Sequence, residues 1–251
     1  MSAAKAPTMR LDRLLTNLGY GSRREVQIMA KHGRLKQNGE PLRVIDHRVP
    51  LTPEFANSLT FDGEPLDPLP GVVLMLHKPL GVTCSHKDLG TLVYTLLPER
   101  WRRREPAIST IGRLDKETSG LLLMTDDGAF LHKIISPKRR LPKRYLAKLD
   151  RPLRGDEADV FAAGTLMLEG EEKPLLPAVL EVLSSHEVAL TLTEGRYHQV
   201  RRMFAAVGNH VTALHRESVG ALTMPDDLRE GDFVVLGEAQ KAALLKTSPI
   251  V

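Results

Sequence analysis

The sequence holds a single cysteine, Cys84, in 251 residues. That excludes an intrachain disulfide and leaves a small buried side chain as the plain reading of the thiol. Cys pairs are missing, as are His-x-x-x-His and His-Glu-x-x-His patterns, so no spacing suits zinc and no metal is expected. Aromatic residues make up only 4% of the chain, so a Tyr set among basic residues draws notice. No stretch approaches the roughly 18 to 20 consecutive apolar residues of a membrane helix. The first residues, Met1-Ser2-Ala3-Ala4-Lys5-Ala6-Pro7-Thr8, lack the apolar core of a secretory signal. A soluble, cytoplasmic protein with no membrane partner is therefore expected. There is no internal repeat, and low complexity is confined to residues 1–8, which are expected to be disordered.

What the chain does have is enough apolar content, 42%, to bury a sizeable core, together with an uneven basic charge. The net charge of +4 and pI near 9.2 are modest. Residues 1–48, however, hold ten Lys and Arg against four Asp and Glu, and residues 138–154 hold eight against one. Either block alone reads equally well as a solvated face. Two blocks plus Arg100, Arg102, Arg103 and Arg104 point to a polyanion, because neutralised phosphates release counterions.

Two domains are expected. Leu11, Leu14, Leu15 and Leu18 recur at helical spacing until Gly19 and Gly21 break the pattern. Ser22-Arg23-Arg24-Glu25 has the form of a capping box opening a second helix, with Val26, Met29 and Ala30 inward and Arg23, Arg24 and Lys31 outward. Asn38-Gly39 suits a type I′ hairpin turn. Residues 67–71, rich in Pro and Gly, read as a linker between a small module over 9–66 and a larger one over 72–246. In the larger module, apolar runs predict strands at 72–76, 120–125, 143–149, 176–183, 187–193 and 232–236. Helical patterns fall at about 127–135, 156–163, 199–207 and 237–245.

The segment Gly112-Arg113-Leu114-Asp115-Lys116-Glu117-Thr118-Ser119-Gly120 precedes the buried run Leu121 to Met124, which would hold Asp115 on a rigid loop after which Thr118-Ser119-Gly120 turns into the strand. Alone, Arg113 and Asp115 could be an ordinary loop ion pair. Three further segments accompany them: His77-Lys78-Pro79-Leu80-Gly81, Lys143-Arg144-Tyr145-Leu146, and Glu194-Gly195-Arg196-Tyr197-His198-Gln199-Val200-Arg201-Arg202-Met203-Phe204. In this order, and over nearly all of residues 9–240, the chain resembles RNA pseudouridine synthases of the RsuA type, and residues 9–66 resemble their S4 RNA-binding module.

The resemblance implies an α+β architecture: a small S4-like α/β-hairpin module, then a catalytic domain on a mainly antiparallel or mixed sheet with flanking helices. It implies isomerisation of a uridine without a cofactor. Asp115 would be the catalytic carboxylate, as nucleophile or base, with Tyr145 against the target base and Arg201 paired with Asp115. Keeping a carboxylate ionised under RNA calls for such a basic neighbour. Candidate RNA contacts are Arg10, Arg13, Arg23, Arg24, Lys31 and Arg34 in the first module, and Lys78, Arg113, Lys143 and Arg202 in the second. For Arg202 a phosphate is preferred over a solvated helix charge. His198 is read as a local hydrogen-bonding residue outside the catalytic set. The family commonly has Asn where this chain has His77, so no role is carried over to that side chain. Ribosomal RNA is the expected partner of a monomer, with small-subunit RNA, free or in an assembling particle, preferred over large-subunit RNA. A non-catalytic assembly factor and a glycoside hydrolase are the readings from other classes; the second would need a paired carboxylate, for which only Glu117 is near. Removing residues 1–66 is expected to weaken RNA binding and leave the rest folded.

Overall fold

A computed structural model describes residues 6–85 and 90–246. The chain divides into two compact units, one formed by residues up to Val72 together with Leu97–Ser109 and Thr125–Asp127, the other by the remainder.

The first unit runs β1 (Thr8–Arg10), α1 (Leu11–Asn17), α2 (Arg23–Lys31), β2 (Leu35–Gln37), β3 (Glu40–Pro41), β4 (Arg48–Pro50), α3 (Pro53–Asn57), β5 (Leu59–Phe61) and β6 (Glu64–Pro65). The expected leucines Leu11, Leu14, Leu15 and Leu18 are fully buried against Val26, Ala30, Leu35 and Leu59. Helix α2 begins with the expected reciprocal cap: Glu25 N donates to Ser22 Oγ at 3.3 Å and Ser22 N to Glu25 Oε2 at 2.7 Å. Asn38 and Gly39, with φ of 51° and 87°, form the expected I′ turn between β2 and β3. Asp62 and Gly63 repeat it between β5 and β6. Of the terminus expected to be disordered, residues 1–5 lie outside the described residues. The remainder is ordered at its end: Thr8 pairs with Pro50, and Pro7 O accepts from Leu51 N at 2.8 Å.

The segment read as a linker is held in place by distant charges. Arg100 forks onto Asp67 at 2.5 and 2.9 Å and lies 4.4 Å over the Tyr20 ring. Arg104 donates to Pro68 O and to the Asp126 carboxylate, which also accepts from Gly71 N. The run Arg100 to Arg104 is therefore no basic stripe. Arg103 pairs with Glu99, which leaves Arg102 as the member without an ion pair among the described residues. The truncation expectation changes with it, because removing residues 1–66 strips Tyr20 from Arg100 and the Asn17 carbonyl from Glu105 N. Loss of stability in residues 97–109 is now the expected result.

The second unit carries β7 (Val73–Lys78), β8 (Ser109–Ile111), β9 (Thr118–Thr125), α4 (Gly128–Ile135), β10 (Lys143–Leu149), α5 (Glu157–Ala162), β11 (Val179–Val182), β12 (Glu187–Leu192), α6 (Gln199–Ala206), β13 (Val211–Val219), β14 (Leu222–Thr223), β15 (Phe233–Val235) and α7 (Glu238–Leu245). The sheet order is β11-β12-β10-β13-β9-β7-β15, with β8 on β9 and β14 on β13. The β9–β13 pair is parallel, whereas β10 is antiparallel to both β12 and β13, so the sheet is mixed as expected.

Strand β13 carries no expectation from the sequence, and it corrects one. Thr118-Ser119-Gly120 is the start of β9 rather than a turn, because these residues pair with Leu214, His215 and Arg216. Gly120, at φ 109°, is the residue that permits this approach. A Cβ there would stand 2.3 Å from Arg216 O. Gly120→Ala is expected to destabilise the protein by at least about 1–3 kcal/mol, the usual range for forced overpacking. Urea denaturation checks it, and an unchanged midpoint would refute the close-approach argument.

Candidate active site

Asp115 opens a tight turn in which Thr118 N donates to its carbonyl at 3.1 Å, so the carboxylate stands one turn ahead of β9. The side chain is about one-third exposed, at 31%. The turn is tied down from three sides. Gly81 N donates to Lys116 O at 2.9 Å, Lys78 Nζ to Thr118 O at 2.8 Å, and Arg201 Nη2 to Glu117 O at 2.9 Å. A carboxylate on so constrained a backbone loses little entropy when a substrate arrives.

Lys78, expected at the RNA, is wholly buried and cannot reach it. Its ammonium donates to Pro79 O and Thr118 O and forms no ion pair among the described residues. Burial pulls its pKa down, opposed by the negative fields of Asp115 and Glu117. Arg216 is a second buried cation, 3% exposed, that the sequence reading missed because it lies on β13. Its Nε donates to Leu121 O at 2.8 Å, its Nη1 lies 3.5 Å from the Tyr145 hydroxyl, and its guanidinium carbon stands 6.0 Å from the Tyr145 ring centre. Tyr145 faces Arg216 across the β10–β13 pair and is partly buried at the edge of the apolar layer formed with α5 and α6.

Two residues before Tyr145, Lys143 Nζ donates to Leu141 O at 2.9 Å and to Glu194 O at 3.5 Å. Burial first, then the Arg216 charge, lowers its pKa to about 8. An unfolded Lys titrates near 10.4. Between about pH 8 and 10.4 the folded chain therefore holds fewer protons than the unfolded one, and stability rises with pH across that window. The gap in thermal midpoint between the natural protein and Lys143→Met should accordingly shift in favour of the natural protein from pH 7 to 9.5. A constant gap would show that Lys143 titrates normally.

Helix α6 has the expected two faces, with Val200, Met203 and Phe204 buried and Arg201 and Arg202 on the other side. The expected Arg201–Asp115 pair is not formed. Arg201 instead joins the start of β13 to the Asp115 turn, donating to Val211 O at 2.8 Å and to Glu117 O. Its donors meet carbonyls there, so it positions the turn. The side chain beside the Asp115 carboxylate is His198, whose Nε2 lies 3.5 Å from Oδ1. Only its place within the motif could have signalled this. Arg202, expected at a phosphate, is engaged by the Glu171 carboxylate and by Tyr197 O and Glu169 O.

Alternation along β10 sends Tyr145, Ala147 and Leu149 to the α5/α6 layer and Leu146 and Lys148 to the other face. A cavity of about 520 Å³ lies on that second face, lined by Leu146, Lys148, Ala213, His215, Ser119 and Leu80. It reaches the back of the Asp115 turn through Lys116 and Glu117 but includes neither Asp115 nor Tyr145. Beside it, Ser119 Oγ and His215 Nδ1 are 2.9 Å apart, and His215 meets the His77 ring edge-on at 5.5 Å. Among the described residues, no group of three or more His, Cys, Asp or Glu could hold a metal ion. Cys84 is buried.

In the first unit, Arg13, Arg23, Arg24 and Lys31 are exposed and form no ion pair among the described residues. Arg10 and Arg34 are exposed but engaged by Asp12 and Asp62. Arg113, in the second unit, is exposed without an ion pair among the described residues.

Comparison with known proteins gives consistent matches to both units. A family model described as RNA pseudouridylate synthase matches residues 72–206, and one described as S4 domain matches residues 9–51. The chain is 41% identical over 241 residues to ribosomal small subunit pseudouridine synthase A of Escherichia coli K12, covering 94% of this chain and 100% of that one. The Vibrio cholerae protein of the same name is 38% identical over 239 residues, 95% of this chain and 100% of its own. A crystal structure of a pseudouridylate synthase matches with a TM-score of 0.66 at 35% identity, covering 94% of this chain and 99% of that chain.

Proposed function

The chain belongs to the RNA pseudouridylate synthase family, in its RsuA type with an N-terminal S4 domain, and from that premise we propose that it converts one uridine of small-subunit ribosomal RNA to pseudouridine. The observation that carries the reading is the setting of Asp115. A part-exposed carboxylate sits on an immobile turn, with the buried cation Lys78 behind it and Arg216 beneath the Tyr145 ring farther along the sheet. Lys78 and Arg216 have no carboxylate partner within ion-pairing distance among the described residues, so their field acts on the site from within the protein.

The reaction detaches uracil from C1′ at nitrogen, turns the base and rejoins it through C5, with the C5 proton leaving as N1 gains one. No atoms are added and no cofactor is needed. Asp115 supplies the carboxylate, as nucleophile at the sugar or as base. Tyr145 stacks on the everted base, offsetting part of the few kcal/mol needed to unstack a nucleotide. The module over 9–66 grips the RNA through Arg13, Arg23, Arg24 and Lys31, and Arg113 contributes charge at the catalytic turn in the module over 72–246, while Lys143, expected at the RNA, has its ammonium on the Leu141 and Glu194 carbonyls. The protein acts as a cytoplasmic monomer, on RNA in an assembling small subunit. The names carried by its relatives support small-subunit RNA.

Pseudouridine is mass-silent but is detected by carbodiimide labelling. Mapping both ribosomal RNAs from cells with and without this protein should show one small-subunit position that loses its label. A lost position in large-subunit RNA would move the substrate, and no lost position would leave a binding factor.

A further inference from the structure

Among the described residues, Tyr197 is the aromatic ring left exposed, at 75%. An exposed ring alone means little, but here the chain goes to some length to hold it in place. Its backbone is clamped on both sides. Arg196 bonds Glu171, Glu194, Lys173 O and Pro174 O, while Arg202 bonds the same Glu171 and the carbonyl of Tyr197 itself. The next residue, His198, is in the left-handed region at φ 49°, a conformation that non-glycine residues seldom adopt and that recurs at functional sites. That twist lays the two rings face to face, 3.9 Å apart and 17° from parallel. His198 Nε2 in turn lies 3.5 Å from Asp115 Oδ1. The order is thus carboxylate, imidazole, phenol, with the outer phenol open to solvent.

We propose that Tyr197 is a stacking ledge for the base of a nucleotide flanking the isomerised uridine. The proposal rests on Asp115 as the catalytic carboxylate of a pseudouridine synthase, and adds a residue that holds the neighbouring strand. The chemistry fits a single-stranded segment. Every nucleobase has a π face, a rigid ring gives up little entropy on stacking, and such contacts tolerate any sequence. The ring's polar edge keeps it soluble when empty. Because Arg202 is consumed by Glu171, the ledge is held by protein contacts and needs no RNA to form.

The test uses the full-length chain carrying Asp115→Asn, which cannot turn over, and a single-stranded RNA of twelve uridines with one central 2-aminopurine, whose fluorescence falls on stacking. The parent should quench the probe. Adding Tyr197→Ala should abolish the quenching and weaken binding roughly tenfold, while Tyr197→Phe and Tyr197→Trp keep both. Tyr197→Leu, apolar but without a π face, should behave like the alanine variant. The slope of log affinity against log salt should stay unchanged in Tyr197→Ala, since no phosphate contact is lost. Equal quenching and affinity in Tyr197→Ala, or a reduced salt slope, would overturn the ledge. These readouts are independent of turnover, so absence of pseudouridine formation by the natural protein would sink the enzymatic reading while leaving the stacking result legible.

Discussion

Asp115→Asn should lower pseudouridine formation by at least about 10³-fold, within the range of contributions made by essential acid–base groups, while RNA affinity stays within about twofold. Asn has the shape of Asp but neither attacks a sugar carbon nor takes a proton. The turn should survive, because it is held through backbone atoms: Gly81 N to Lys116 O, Thr118 N to Asp115 O, and Lys78 and Arg201 to carbonyls on either side. Removing one negative charge from a neighbourhood that holds Lys78, Arg201 and His198 also makes it more attractive to phosphate. Tritium release from 5-tritiated uridine in transcribed small-subunit RNA reports the chemistry, because C5 loses its hydrogen when it bonds to C1′. Filter binding reports affinity. Turnover in the variant would remove Asp115 from the mechanism, and lost binding with lost turnover would make it a structural residue.

The second large effect concerns stability. Asp126→Ala is expected to destabilise the first unit by about 3–5 kcal/mol, the usual cost of stranding one member of a buried pair. Arg104 and Asp126 are 1% and 2% exposed at the side chain and bond at 2.8 and 3.2 Å. The carboxylate also caps Gly71 N, and Arg104 also holds Pro68 O. Without Asp126, the guanidinium would keep one carbonyl for a full charge in a dry site. Thermal unfolding should shift down by roughly 10 °C. Arg104→Met combined with Asp126→Leu should cost less than Asp126→Ala alone, because no charge remains to be desolvated. If the double change is the more damaging, the pair contributes net attraction and the desolvation argument is wrong.

Much of the fold was legible because its signals are local. The buried leucines of α1, the Ser22–Glu25 cap of α2 and the Asn38-Gly39 turn each depend on residues within a few positions of one another. The expected strands and helices of the second unit reappear with ends shifted by up to three residues, the largest shift falling at the start of the strand expected from 176. Strand β13 was missed. Its residues Val211 to Val219 mix exposed and buried positions without clean alternation, since it bulges against β10 at two points. With it went Arg216, the buried cation beneath Tyr145.

Four motifs in order carried the resemblance to the family that the comparisons show, and one of them marked Asp115 as the residue to explain. They could not settle which charges meet. That Arg100 and Arg104 turn to Asp67 and Asp126, that Lys78 is buried, and that His198 rather than Arg201 lies beside the Asp115 carboxylate were decided by tertiary structure alone. The reason is physical. Helix and turn preferences act over a few residues, whereas desolvation and ion pairing depend on which distant segments exclude water together, and that exists only once the chain has packed.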